Sequence, residues 1–354
     1  MLYSQTLISN NLKMIEQLTK EAFHAVKGVS YSKLAKLADG PLIYKLSLDQ
    51  PPAGPGLDFG SVVDALLTSP DTFNDEFYVM TASKPESPMM LTFAEVYAQT
   101  GDQEEAWRQS GFKIGLDRVM NKFNEEGKHY CDALIARKDK RVVDANLVMK
   151  GNQVVTALKT NPFTKKYFVP ESKNVTIQYQ VPIIWNIETA DLTQNGEREW
   201  KEKNTTTKGI IDIVHIDHLK KLINIIDLKT GSEGFWKSFW KFRYYLQGSM
   251  YYEGFKANLP EELKDYTILP TMFIYADANL FNPPTMYRMT MQDILCGKQG
   301  YYLVNPKTGE MKLKYKGYDQ LAAELAWHTV NDQWDYPYEI YMSGGEVEID
   351  AFKS

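Results

Sequence analysis

Cysteine is almost missing: 354 residues carry two, Cys131 and Cys296. Two thiols build neither a four-cysteine zinc site nor an iron–sulfur cluster, and they make no disulfide framework. The expectation that follows is a reducing, cytoplasmic setting. Long apolar runs are missing too. No stretch approaches the roughly 18 apolar residues of a membrane-crossing helix. The opening MLYSQTLISNNLKMIEQLTK has no basic segment leading into an apolar one, so no signal peptide and no membrane partner are expected. There is no Gly-x-x-x-x-Gly-Lys-[Ser/Thr], which excludes a P-loop ATPase motor within this sequence. Repeats and low-complexity tracts are absent. Neither sign of charge dominates: 40 Lys+Arg stand against 45 Asp+Glu, a net −5. The whole-chain balance does not announce a nucleic-acid ligand and leaves room for a local basic groove.

What is present is globular material. Hydrophobic residues make up 44% and charged residues 24%, which excludes wholesale disorder. At about 150 residues per domain the length suits two domains or one enlarged one.

The first half reads as helical. Leu12, Ile15, Leu18, Ala22 and Ala25 recur at helical spacing over 11–27. Ser30 is a candidate N-cap for YSKLAKLAD, which ends at Gly40-Pro41. The Pro/Gly-rich stretch 48–57 predicts a loop, and 59–67 a short helix. Residues 70–128 are polar and irregular, with helical fragments at 92–99 and 103–125, and read as an insertion. A long helix is expected over 132–160. The texture changes at Lys173, where VTIQYQVPIIWNI alternates like a strand. A turn at Thr193–Gly196, a strand at 208–214, a turn from Asp217-His218 and a strand at 222–229 complete a meander. A helix over 238–255, strands at 267–276 and 285–289, and a helix near 318–331 follow. The fold class expected is α/β, with a helical N-terminal region over 1–172 and a sheet-bearing core over 173–354, integrated into one domain.

The chemistry concentrates in 209–251. Gly209-Ile-Ile-Asp212 is followed by Asp227-Leu228-Lys229 and then by Gln247-Gly-Ser-Met-Tyr251. Asp212 and Asp227 fall on neighbouring strands of the expected hairpin. Residues i and i+2 of a strand share a face, so Asp227 and Lys229 project together while Leu228 enters the core. The Leu228 carbonyl can still reach a cation held by Asp227. Two carboxylates and a main-chain oxygen are hard ligands suited to Mg²⁺ or Mn²⁺, and a lysine beside them can orient a water and stabilise charge on a phosphate. Taken alone, Asp-x-Lys reads first as a surface ion pair at a strand end. Its company raises the odds: a carboxylate on the preceding strand, the apolar run Ile223–Ile226, and Gln247 and Tyr251 at i, i+4 on one helix face.

These stretches resemble the PD-(D/E)xK nucleases of the RecB/RecE exonuclease type, the phage and prophage RecE-like (exonuclease VIII-like) members among them. The matching residues are Ser30-Tyr31-Ser32-Lys33-Leu34 with Pro41 and Tyr44, Gly60–Asp64, Gly209–Asp212, Asp227–Thr230 and Gln247–Tyr251, with a fainter echo at Trp334–Pro337. The resemblance implies a restriction-endonuclease-like core, a central mixed β-sheet flanked by helices. It implies that Asp64, Asp212 and Asp227 hold the metal with the Leu228 carbonyl. Lys229 would position the attacking water, and Gln247 and Tyr251 would steady the substrate phosphate or the lysine. Asp64 stands where the family usually has histidine, and its alternative reading is a helix-solvating carboxylate. A glutamate common on the preceding strand is not obvious; Gln178 or Gln180 occupies that neighbourhood.

The run Trp236-Lys-Ser-Phe-Trp240-Lys241-Phe-Arg243 alternates basic and aromatic residues. It reads either as rings stacking on bases with cations on phosphates, or as a helix with aromatics in the core. The core reading is preferred for the tryptophans, and Lys241 and Arg243 remain phosphate candidates. Arg137, Lys138, Lys140 and Arg141 read as the solvated basic start of a helix, and His215 and His218 as exposed turn residues. The function expected is a metal-dependent DNA exonuclease working at duplex ends in recombination or repair. A single-strand annealing protein would be its partner, and the resemblance implies a ring-shaped homo-oligomer. An endonuclease of the same fold and a non-catalytic DNA-binding scaffold are the alternatives.

Overall fold

The computed structural model of the chain describes residues 20–48, 55–192 and 198–346. In chain order the elements are α1 (Lys20–Ala25), α2 (Tyr31–Asp39), α3 (Pro41–Ser47), α4 (Pro55–Thr68), α5 (Phe73–Glu76), β1 (Phe77–Met80), α6 (Pro88–Thr100), α7 (Gln103–Ser110), α8 (Leu116–Glu126), α9 (Lys128–Ala136), β2 (Arg141–Asp144) and α10 (Ala145–Thr160). The sheet half follows with β3 (Val175–Leu192), β4 (Arg198–Asp217), β5 (Leu222–Gly231), α11 (Phe235–Lys241), α12 (Tyr244–Ala257), β6 (Thr267–Asp277) and β7 (Thr285–Arg288). It closes with α13 (Met291–Gln299), β8 (Tyr301–Val304), β9 (Met311–Tyr315), α14 (Tyr318–Asn331) and α15 (Tyr338–Met342). The chain divides into two compact units, residues 55–156 and the remainder.

The larger unit is α/β, built on a mixed five-stranded sheet of order β3-β4-β5-β6-β7 with helices packed on it. β3, β4 and β5 form the antiparallel meander that the sequence predicts. The chain then crosses over through α11 and α12, so β6 lies parallel to β5, and β7 returns antiparallel. The β4–β5 turn is set by Asp217, whose Oδ1 accepts from the backbone N–H groups of Leu219 and Lys220. α12 is buried almost all round from Tyr244 to Tyr252, as a helix between sheet and outer helices must be. Its approach depends on missing side chains. A Cβ at Gly209 would stand 2.8 Å from Cε1 of Tyr251, so the tyrosine ring lies directly on strand β4. Lys208 fastens the N-terminal end: its Nζ donates to the carbonyls of Phe23, His24 and Val26 at the end of α1.

The smaller unit is mainly helical, with a two-stranded parallel sheet pairing β1 with β2. One cluster joins α6, α8 and α9 through Met90, Phe93, Val119, Phe123 and Tyr130. A second joins Val62, Phe73, Phe77 and Val143.

Several expectations need correction. The helix over 132–160 is a helix, a strand and a helix. Val143 turns inward to pair with β1, an extended use of a β-branched pair that helical spacing hid. The basic group Arg137–Arg141 accordingly ends α9 and opens β2; Lys140 donates to the Asn74 carbonyl and Arg141 lies over the Phe77 ring. The fragment 103–125 is broken between Ser110 and Leu116, where Gly111 adopts φ +75°. The helix over 238–255 breaks at Arg243, which takes φ +55°, and both halves feed one core cluster through Phe235, Phe239, Tyr244 and Tyr245. The loop over 48–57 is helical from Pro55 on. β8 and β9 form a hairpin of their own after the strand expected to be last. Of the helix over 11–27 only Lys20–Ala25 is described, and the turn 193–196 lies outside the described residues.

Candidate active site

The β4–β5 ladder runs from the Asp217–Leu222 turn up to the rung Ile213–Ile226 and stops. The next rung would set Asp212 against Asp227. There the strands part: β4 stays with β3 through Ile211, and β5 stays with β6 through Gly231. In place of a ladder carbonyl, Asp212 Oδ2 accepts from the Leu228 N–H at 2.8 Å. A strand residue presents its N–H and C=O to the same side. The Leu228 carbonyl therefore faces the fork between the strands.

Asp227 is the buried centre of this fork, 1% exposed. Its Oδ1 accepts from Gln247 Nε2 at 2.7 Å, and its Oδ2 lies 2.7 Å from Lys229 Nζ. Gln247 Nε2 also donates to the Tyr251 hydroxyl at 3.1 Å. A continuous chain thus runs from Tyr251 through Gln247 and Asp227 to Lys229, and the i, i+4 pair of the sequence is its first link. A carboxylate only accepts, which fixes the Gln247 amide with nitrogen towards Asp227. That leaves Gln247 Oε1 buried without a hydrogen-bond donor.

Burial pushes Asp227 above the usual carboxylate range, against the pull of Lys229. Burial works against the Lys229 charge, yet Asp227, Tyr31, Tyr244 and Asp212 outweigh it and hold the amine above its ordinary value. Lys229 is therefore an ammonium, with its Nζ 4.6 Å from the Tyr244 ring centroid. Burial, then Asp227 and Asp212, push the Tyr251 phenol up as well. Tyr31, at the head of α2, shares this environment: burial raises its phenol while Lys229 pulls it down, and its hydroxyl donates to the Phe242 carbonyl at 2.9 Å. Tyr31 and Tyr244 are site residues that the motif spacing did not assign. Tyr31 follows the expected N-cap, but nothing local says that it shares the electrostatic field of a lysine nearly two hundred residues on.

The remaining candidates divide. Lys241 lies 3.4 Å from Glu233 and Arg243 2.7 Å from Asp39, so both phosphate candidates are held in ion pairs. Asp64 is half-buried on α4 in the smaller unit. The β3–β4 register sets Gln180 at the rung of Asp212, between Tyr179–Ile213 and Val181–Ile211, with φ +53°. Gln178 Oε1 is buried without a donor. His215 and His218 are corrected from exposed turn residues. His215 is buried against the Tyr167 ring and Asn224, and the ring nitrogens of His218 meet Thr176 and Tyr266. His215 is enclosed on β4, whereas His218 lies in the turn as expected and is half-buried rather than exposed. The tryptophans depart from the core expectation too: Trp236 is exposed and Trp240 lies at the surface.

Among the described residues no three His, Cys, Asp or Glu side chains form a ready metal cage. The fork still fits a small divalent cation. It offers two carboxylates and a main-chain carbonyl, all hard oxygen donors, and the donorless Gln247 oxygen beside them is an acceptor that a cation's water would fill. Among the described residues no helix is long and apolar enough to cross a membrane.

No family model and no curated protein matches the chain. Among solved structures it is similar to a Eubacterium rectale protein provisionally described as an exonuclease. That likeness has 11% identity and a TM-score of 0.44, covering 94% of this chain and 88% of the other. A fainter likeness, to the protein SSO0001, has 10% identity and a TM-score of 0.25 over 78% of this chain and 86% of the other. With TM-scores below 0.5 these likenesses establish nothing further, and the functional reading rests on the fork.

Proposed function

We propose that this protein is a divalent-cation-dependent nuclease that hydrolyses phosphodiester bonds of DNA, working from duplex ends. The observation that carries the reading is the Asp227–Lys229 pair: an ammonium 2.7 Å from a carboxylate that is almost wholly out of water, with Asp212 on the facing strand. Stability alone does not call for such a convergence, because apolar side chains of similar volume often serve as well as a buried pair or better. That consideration also weighs against a scaffold without catalysis.

Mg²⁺ or Mn²⁺, held by Asp212, Asp227 and the Leu228 carbonyl, would supply Lewis acidity and an activated water. Lys229, charged through the neutral range, stabilises negative charge on the reacting phosphate and orients the water by hydrogen bonding. Gln247 and Tyr251 fix the Asp227 carboxylate, so that the donor set is preorganised. What the resemblance adds is end processing in recombination or repair, a strand left for an annealing protein, and a ring-shaped oligomer.

Linear duplex and covalently closed circles, each incubated with Mg²⁺ and with a chelator, test the reading. Degradation of the linear form alone, abolished by chelation and by Lys229→Met, is the expected result. Cutting of both forms would make the enzyme an endonuclease. Cleavage undiminished in a clean Lys229→Met preparation would remove the assignment.

A further inference from the structure

We propose that Trp236 on α11 is a stacking platform for an unpaired nucleobase beside the reacting phosphodiester. The proposal rests on the nuclease reading and gives it a substrate class, DNA with a single-stranded terminus.

Trp236 is 61% exposed, although its neighbours Phe235 and Phe239 on the same short helix are buried. The indole is nevertheless held. It meets Phe235, Tyr287 and Phe239 edge-on, at centroid distances of 5.5, 5.6 and 5.9 Å. None of these contacts is a parallel stack. The ring is thus braced by three others without being enclosed, which is the arrangement a planar ligand needs.

Position and charge identify the ligand. Asp227 pairs with Phe273 on β6, and Phe273 with Tyr287 on β7. Neighbouring strands are about 4.8 Å apart, so the Tyr287 backbone lies roughly 10 Å from the Asp227 backbone. That is within reach of a base adjoining the reacting phosphate. The head of α11 is tied to the same place: Tyr275, the β6 partner of Lys229, donates its hydroxyl to the Glu233 carbonyl. Lys237 and Lys241 stand one turn apart on α11, next in sequence to Trp236 and Trp240, and share one carboxylate, Glu233. Two ammonium groups against one carboxylate leave positive charge beside the ring. A chain that alternates bases and phosphates is complementary to rings alternating with cations. An apolar protein surface would strip water from the lysines without replacing it.

The test is binding of a fluorescent single-stranded oligonucleotide to the full chain in EDTA, where cleavage is silent. Trp236→Ala should weaken binding about tenfold, the range of one lost base stack. Trp236→Phe, which keeps a planar ring, should restore most of the affinity. A strand of equal length lacking its bases should bind wild type and Trp236→Ala alike. Equal affinity of wild type and Trp236→Ala for the normal strand overturns the platform, as does an equal loss on the baseless strand. If the platform fails while linear duplex is still degraded, the nuclease reading stands. If wild type neither binds nor cleaves DNA, both fall.

Discussion

The β4–β5 hairpin carries charge at both ends and treats it in opposite ways. At the turn, Lys220 lies 3.3 Å from Asp217, and Lys221 pairs with Asp265, all near or in water. The turn carboxylate is held low first by the Lys220 backbone N–H, and solvent screens its ion pair. At the fork, one position beyond the last rung of the ladder, the same residue types leave water: Asp227 is 1% exposed and the Lys229 side chain 17%. Surface pairs of this kind contribute little, whereas a buried pair makes each partner depend on the other. Burial is what separates a turn that closes a hairpin from a fork that can do chemistry.

The largest expected effect breaks the fork. Lys229→Met leaves the Asp227 carboxylate buried without its cation and should destabilise the protein by about 3–5 kcal/mol, read by urea unfolding. Adding Asp227→Asn removes the orphaned charge and should recover most of that loss, while cleavage stays abolished. Recovery of stability without activity separates the functional role of the pair from its structural one. A Lys229→Met protein as stable as wild type would mean that the carboxylate does not depend on the amine.

Gly209→Ala probes the platform beneath the fork. The new Cβ meets the Tyr251 ring at 2.8 Å, and either the ring or the strand must shift. A loss of about 1–3 kcal/mol is expected, the usual range for overpacking. The same change in a Tyr251→Ala background should cost far less. Equal costs in both backgrounds would show that the ring does not rest on the strand.

Much of the larger unit was legible because its signals are local. Alternation gave the three meander strands, and the i+2 rule put Asp227 and Lys229 on one side. The i+4 rule paired Gln247 with Tyr251, and the sheet brings all four into hydrogen-bonded contact. What stayed hidden depends on tertiary partners. The electrostatic influence of Tyr31 on Lys229 joins segments far apart in sequence. Val142 and Val143 read as helix until β1 supplies an extended neighbour. The burial of His215 comes from Tyr167, which lies on another element. Trp236 reads as core by residue type, yet successive helical side chains point about 100° apart, and Phe235 takes the inside.

The two ends should also part in their response to pH. Burial lowers the pKa of His215 and His218 near the turn, and of His328 on α14. Such groups bind a proton more readily once unfolded. Their contribution is fully present above the ordinary histidine value of 6.5 and is lost as pH falls below it towards the folded values. Stability should therefore decline on acidification from pH 7, and His215→Asn should flatten that slope. Lys229 is shifted the other way: its contribution is complete below the ordinary lysine value of 10.5 and fades only in strong alkali. A flat profile between pH 7 and 5 in the wild type would contradict the burial of the turn histidines.

The smallest expected effect is the most exacting for the comparison. Lys221 and Asp265 form an ion pair like that of the fork in its partners but not in its surroundings, since both side chains are exposed. Asp265→Asn removes the charge and keeps the shape. Water and salt already hold each ion apart from its partner's field, so neither is left stranded when the other goes. The thermal midpoint should stay within the scatter of repeated melts, at low ionic strength as at high. A clear drop that high salt erases would mean that charge at the turn acts over the same range as charge at the fork. Burial could then no longer be the property that distinguishes them, and the carboxylate–lysine pair of β5 would lose its standing as the mark of a reactive site.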